Sequence, residues 1–118
     1  MKTVSERNEL WKTLLNDCIY VIDTKNALDI LAEKSLPYLN APAIGPLMQH
    51  ALAAMLKKVQ EQKISIEKIV EKMCHSPAKI FKIENSSFTR EGCFADLVVE
   101  DSQFRWTVEK DNIFAKFG

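Results

Sequence analysis

The sequence predicts a helix-rich chain of the α/β to α+β class, and three observations support that prediction. Apolar residues recur at helical spacing through most of the first two-thirds of the chain. One short apolar run, residues 19–23, interrupts this pattern and ends abruptly in polar residues, which is typical of a buried strand. Beyond residue 84 the spacing changes to the alternation of an extended chain. We therefore expect a helix-rich part over residues 1–84 and a β tail over residues 85–118.

Composition limits the classes of partner. The chain has 118 residues, of which 47% are hydrophobic and 27% charged, in the ordinary range for one globular domain. Sixteen basic and sixteen acidic side chains give a formal net charge of zero, which argues against nucleic acid as a partner. The N-terminus has no apolar signal region, and no window approaches the roughly 20 apolar residues that span a bilayer. We expect a soluble, cytoplasmic protein with no membrane partner.

The cysteines indicate a reduced protein. Cys18, Cys74 and Cys93 are an odd number at wide spacing, which fits neither a disulfide framework nor a CxxC metal site. We expect Cys18 and Cys74 to be small core residues, because free cysteine is usually buried. A cysteine nucleophile is the alternative, but nothing in the sequence places His50 or His75 beside one.

The first helix has a clear start signal. Thr3 and Glu6 match a capping box, and the apolar residues that follow predict about three amphipathic turns. A helix followed by the strand at 19–23 is half of a repeating α/β unit. Spacing then permits a helix over residues 26–36, and residues 37–46 form a loop because they contain three of the four prolines.

Three further helices are predicted before the tail. Residues 47–62 have the most regular apolar stripe. Ser65 is predicted to cap the next helix, and Ser76 to cap a separate short helix with Pro77 in its first turn. The charged residues between those caps are expected to form a solvated face: Glu67, Lys68, Glu71 and Lys72. In the tail, residues 94–100 and 104–108 are predicted strands that could pair as a hairpin.

The candidate site lies just after the first strand, because α/β proteins usually hold their chemistry at the carboxyl ends of strands. Its residues are Asp23, Thr24, Lys25, Asn26 and Asp29. His50 lacks the second ligand of an HExxH pair, and His75 is expected to bond local backbone at a helix junction. The three glycines are isolated, so no phosphate-binding loop is present. These residues alone supply no catalytic constellation.

Several stretches together resemble the C-terminal part of dihydroorotases, which are cyclic amidohydrolases of the amidohydrolase superfamily. They include Val21-Ile-Asp-Thr, residues 37–52 and residues 75–81, and the resemblance covers nearly the whole chain. Residues 92–99 are typical of the wider superfamily only. The segments 37–52 and 75–81 together indicate dihydroorotase in particular.

The resemblance implies a metal-dependent (β/α)8 barrel that closes N-carbamoyl-aspartate to dihydroorotate in pyrimidine biosynthesis. The chain would supply the end of that TIM barrel: a helix, one barrel strand and three to four further helices, followed by a β tail from the small β domain. In the family, zinc is held by a His-x-His pair, a carboxylated lysine and further histidines, which the resemblance places before Met1. We therefore expect no metal or other cofactor in this chain.

The resemblance also implies that the family's metal-binding motif is replaced. The motif Thr-Asp-His-Ala-Pro-His would have Lys25 at its aspartate, Asn26 and Asp29 at its histidines, and Leu28 at its proline. An ammonium cannot ligate a cation, and Asp29 would repel an anionic substrate. Asp23, on the same strand face as Lys25, is the possible substitute carboxylate. By the same resemblance, Ala43 and Gly45 are the candidate substrate-binding positions.

Three hypotheses about function follow. The first is a catalytically inactive module with a structural or interaction role, for which aspartate carbamoyltransferase is a partner suggested by resemblance. The alternative is one part of an active dihydroorotase that a separate N-terminal barrel portion completes. The third is a free-standing α+β domain that covers its exposed strand edges by forming a homodimer or by docking to a partner.

Overall fold

A computed structural model describes residues 3–24, 35–40, 48–105, 107–109 and 112–114. This part of the chain is mostly helical and contains no paired strand. Its elements are α1 (Val4–Leu15), α2 (Met48–Gln60), α3 (Ile66–Val70), a π-helical turn (Glu71–His75) and α4 (Ser76–Phe81). The predicted helix over residues 26–36 lies mostly outside the described residues.

The chain divides into two compact units. One consists of residues 1–23 and 56–100, and the other of residues 24–55 and 101–118. In the second unit, the Gln49 side-chain amide donates to the Asn112 carbonyl at 2.8 Å and accepts from the Phe114 N–H at 2.9 Å. One amide side chain thus joins the start of α2 to the chain near residue 113.

α1 begins at the predicted capping box. The Thr3 hydroxyl accepts from the Glu6 N–H at 3.2 Å, and the Glu6 carboxylate accepts from the Thr3 N–H at 2.6 Å. The helix ends at Leu15 with Asn16 as its C-cap, and Asp17 follows in the left-handed region with φ 67°. Asp tolerates that conformation better than most residues. The chain therefore turns sharply at Asp17.

α2 confirms the helix predicted over residues 47–62. It ends where Gln62 adopts a left-handed φ of 56° and the Lys63 N–H donates to the Lys58 carbonyl at 3.0 Å. This bond spans five residues and satisfies a carbonyl that the helix end would leave open.

The third helical run begins as predicted and then departs from the prediction. The Ser65 hydroxyl accepts from the Lys68 N–H at 3.2 Å, which confirms Ser65 as an N-cap. The predicted cap at Ser76 is wrong, because Ser76 has helical φ and ψ of −66° and −45° and the backbone continues through it. The short helix Ser76–Phe81 exists, but it continues the run from Ile66. Pro77 has no N–H and its ring crowds the carbonyl one turn earlier, so the π turn accommodates it within one helix.

The buried apolar residues of the described chain are few, and they are Leu14, Ile64, Ile69 and Ala78. Cys18 and Cys74 are exposed, contrary to the predicted core positions. Cys18 lies beyond the end of α1 and Cys74 lies in the π turn, so ordinary helical spacing does not place either on an apolar face. Both are free thiols, as is the partly buried Cys93.

The predicted strands are not paired in the described part of the chain. A barrel strand needs a neighbouring strand at each edge. Here the Ile22 N–H donates instead to the Lys72 carbonyl of the π turn at 3.1 Å. The strands at 19–23 and 94–100 therefore stay predictions. None of the described helices is both long and apolar enough to cross a membrane.

Candidate functional site

The structure describes only the first part of the predicted site. Asp23 is exposed and Thr24 is half-buried. The other predicted positions lie outside the described residues, and they are Lys25, Asn26, Asp29, Ala43 and Gly45. The described surroundings of the site are therefore the segment leading to Asp23, residues 17–22, and the helix that this segment contacts.

The π turn leaves one backbone carbonyl of the helix, that of Lys72, free to accept a hydrogen bond from this segment. In an α-helix the Lys72 carbonyl would accept from the Ser76 N–H, but the Ser76 N–H donates to the Glu71 carbonyl. The next donor along the chain would be residue 77, which is a proline and has none. The Lys72 carbonyl is therefore open to the Ile22 N–H, 3.1 Å away.

A cluster of four charged side chains lies beside that bond. The Asp17 Oδ1 atom is 2.7 Å from the Lys68 Nζ and 2.8 Å from the Lys72 Nζ. Lys68 also pairs with Glu71 at 2.9 Å, and Lys72 lies 3.4 Å from the same carboxylate group. Lys68 and Lys72 are four residues apart, so they project from one helix face towards one carboxylate.

This cluster is ionised at neutral pH. The hydrogen bond from Lys68, followed by the contact with Lys72, lowers the pKa of Asp17 from 3.8 to about 2. The Asp17 carboxylate in turn raises the pKa of Lys68 and of Lys72 above 10.5. Lys68 also lowers the pKa of Glu71.

Lys72 is the least exposed member of the cluster. Its side chain has 0% exposure, and its ammonium lies 5.5 Å from the centre of the Tyr20 ring, within cation–π range. The predicted solvated face is therefore wrong at Lys72. One signal was present in the sequence: Glu67 and Glu71, and also Lys68 and Lys72, stack like charges at four-residue spacing, which is unfavourable unless an opposite charge arrives from elsewhere.

The two histidines do not form a metal site with other described residues. The His75 ring stacks on Phe88 with centroids 4.3 Å apart, an aromatic contact rather than the predicted backbone bond. The Arg90 guanidinium lies 5.1 Å from the same Phe88 ring. His50 is half-buried on α2. Within the described ranges, no three or more His, Cys, Asp and Glu side chains are grouped so that they could hold a metal ion.

Residues 94–99 of the tail expose four large apolar side chains. The exposed fractions are 67% for Phe94, 68% for Leu97, 77% for Val98 and 97% for Val99. Its described backbone anchor is the Phe94 N–H, which donates to the Asn85 carbonyl at 2.7 Å. Several exposed apolar side chains grouped within six residues are typical of a surface that another polypeptide covers.

Comparison with known proteins identifies dihydroorotases as relatives along the whole chain. The chain is 34% identical to Pyrococcus furiosus dihydroorotase over an alignment of 119 positions, which covers 100% of this chain and 27% of the relative. It is 34% identical to Pyrococcus horikoshii dihydroorotase over 98% of its length and 30% identical to Clostridioides difficile dihydroorotase over 88%. No protein-family model matches. The resemblance to the C-terminal part of dihydroorotase is confirmed, and the chain spans about a quarter of the length of these relatives.

Proposed function

We propose that this chain is a dihydroorotase-related module that has no cyclic amidohydrolase activity of its own and acts by associating with another polypeptide. The observation that carries the proposal is the chemistry at one position. Similarity to dihydroorotases runs through the chain, yet Lys25 occupies the position that resemblance assigns to the metal-binding aspartate. A dihydroorotase-related chain with an ammonium at that position has lost a ligand and a proton acceptor together.

The donor atoms near this position do not suit zinc. A protonated lysine has three N–H donors and no lone pair to give a metal. Asp23 is an exposed carboxylate two residues earlier, but it provides one ligand where catalytic zinc takes three from the protein. At the two histidine positions, Asn26 offers only a neutral amide oxygen, and the Asp29 carboxylate would repel an anionic substrate.

The exposed apolar side chains of residues 94–99 support an interaction role. Val98 and Val99 are 77% and 97% exposed, and the apolar run at 94–99 has no strand partner within the described residues. The partner that best fits is a polypeptide that supplies neighbouring strands to residues 19–23 and to this run. A portion of a dihydroorotase-like barrel meets both needs, because the relatives are about four times as long as the matched region.

The catalytic half of the proposal is tested by restoration. The chain is mixed with zinc and with the remaining portion of Pyrococcus furiosus dihydroorotase, and dihydroorotate hydrolysis is followed by ultraviolet absorbance. We expect no turnover above the metal blank with the natural chain. We expect measurable turnover when the motif is restored by Lys25→Asp, Asn26→His, Leu28→Pro and Asp29→His together.

Activity of the natural chain would overturn this half of the proposal. Loss of that activity in Asp23→Asn would then assign the substitute ligand to Asp23 and favour the alternative, one part of an active dihydroorotase. Turnover with the fourfold variant and none with the natural chain would support the proposal. If neither the natural chain nor the fourfold variant gives turnover, although both associate with the dihydroorotase portion, the four positions do not account for the inactivity.

The association half is tested by sedimentation. The chain is measured alone, with the dihydroorotase portion and with aspartate carbamoyltransferase. We expect a heavier species with the dihydroorotase portion, and a weaker one with Val98→Lys, which adds a charge at an exposed apolar position. If the chain alone sediments as a homodimer, a second copy of the chain would be its partner in place of the proposed dihydroorotase portion. A strictly monomeric chain under all three conditions would refute an interaction role.

A further inference from the structure

Lys72 contacts the segment before the candidate site in two chemically different ways. Its backbone carbonyl accepts from the Ile22 N–H at 3.1 Å, and its ammonium lies 2.8 Å from the Asp17 Oδ1 atom. Both partners belong to residues 17–22, and all these atoms lie in one compact unit of the chain. One residue of the helix therefore contacts this segment near both of its ends.

A third contact lies between the other two. The Lys72 ammonium is 5.5 Å from the centre of the Tyr20 ring. Asp17, Tyr20 and Ile22 thus contact the same residue at successive points along the segment. A segment contacted at three points by one fully buried side chain and its backbone has little freedom to shift along the helix.

The local geometry of Lys72 has a specific cause. An ordinary α-helix would use the Lys72 carbonyl internally, but the π turn and Pro77 together leave it open. π turns inside α-helices frequently mark functional positions. Lys68, four residues earlier, contacts Asp17 at 2.7 Å but remains 23% exposed and lies outside the π turn.

We propose that Lys72 is a positioning residue that fixes residues 17–22 on the helix and so sets where Asp23 is presented. Asp23 follows Ile22 directly and precedes the motif positions. The role does not depend on catalysis or on a partner, because every contact is internal to the chain. It therefore goes beyond the proposed function and can fail or succeed separately.

The test compares two matched substitutions in the 118-residue chain. Lys72→Met removes the buried charge but keeps the chain length, the helix propensity and the backbone carbonyl. Lys68→Met makes the same chemical change one helical turn away. The readout is the exchange rate of the Ile22 amide hydrogen measured by NMR, with helix content followed by circular dichroism.

We expect Lys72→Met to speed Ile22 exchange by about tenfold or more, because the side-chain contacts hold the backbone bond closed. Lys68→Met should leave the rate within about threefold. Equal acceleration in the two variants would overturn the proposal, since it would reduce Lys72 to one of two equivalent charges. An unchanged Ile22 rate in Lys72→Met would overturn it as well.

Two further measurements keep the proposal testable if Lys72→Met does not fold. Asp17→Asn removes the carboxylate while leaving Lys72 in place, and it should also accelerate Ile22 exchange. In the natural chain, the Lys72 ε-methylene protons should be shifted upfield by the Tyr20 ring and should return to ordinary values in Tyr20→Leu. Ordinary ε-methylene shifts in the natural chain would show that the lysine does not sit over the ring and would refute the arrangement.

Discussion

The helix that carries the charged cluster should depend on one buried side chain, Ile69. Ile69 is 2% exposed, whereas Ile66 on the same helix is 50% exposed. Ile→Ala removes three carbon groups, so full burial at roughly 0.8 kcal/mol per group predicts a loss of about 2.4 kcal/mol at Ile69 before any cavity cost. The cavity left behind brings such losses to about 2–5 kcal/mol.

The matched change at Ile66 should cost much less. Half of its surface is already in water, so the same transfer arithmetic gives about 1.2 kcal/mol, and the higher helix propensity of alanine offsets a few tenths of it. Urea unfolding followed by circular dichroism measures both free energies of unfolding. A difference of at least about 1 kcal/mol is expected between the two variants. Equal losses at Ile69 and Ile66 would show that the helix is not buried on the Ile69 side and would refute the packing described above.

Three further predictions concern pH and helix ends. The pKa of Asp17 falls from 3.8 to about 2 on folding, so the ionised side chain stabilises the fold above pH 3.8 and this stabilisation is lost as the pH falls towards 2. In thermal unfolding, Asp17→Asn should therefore lose less stability across that pH interval than the natural chain does. Parallel curves of stability against pH for the two proteins would contradict this expectation. Thr3→Ala removes an N-cap acceptor and should lower the free energy of unfolding in urea by about 0.5–2 kcal/mol. The control Ser5→Ala, inside α1, should not be destabilising. The opposite order of the two effects would contradict the capping box at Thr3 and Glu6. Gln62→Gly should raise the free energy of unfolding by up to about 1 kcal/mol, because left-handed backbone costs a non-glycine residue roughly 1–2 kcal/mol. The greater conformational entropy of glycine in the unfolded chain offsets part of that gain. A lower free energy of unfolding by calorimetry would argue against the φ of 56° at Gln62.

The helix starts could be predicted because their signals are local. The Thr3–Glu6 box and the Ser65 cap each place a side chain three residues from the N–H it accepts, so sequence spacing alone specifies the contact. The apolar stripe of α2 is equally local, and the end of this helix was predicted to within two residues. The family resemblance was also readable, since it depends on residue identity and not on packing.

Pro77 shows where local signals mislead. A Ser-Pro pair is a common helix start, yet here the helix from Ile66 runs through Ser76 and absorbs the proline as a π turn. Whether a proline begins a helix or is accommodated inside one depends on what the preceding residues pack against. Ile69 and Ala78 are buried on either side of the turn, and their burial favours one continuous helix.

The sequence by itself determined the mostly helical character of the described part of this chain, the starts of α1 and α3 and the resemblance to dihydroorotases. Only the tertiary structure decided that Lys72 is buried and that its carbonyl receives the Ile22 N–H. Asp17 is the carboxylate that both Lys68 and Lys72 contact. It lies 51 residues before Lys68, and rules based on sequence spacing do not predict contacts at that separation. Contacts within one helical turn are fixed by the residues of that turn, whereas a charge is buried only where the folded chain brings its counter-charge to it.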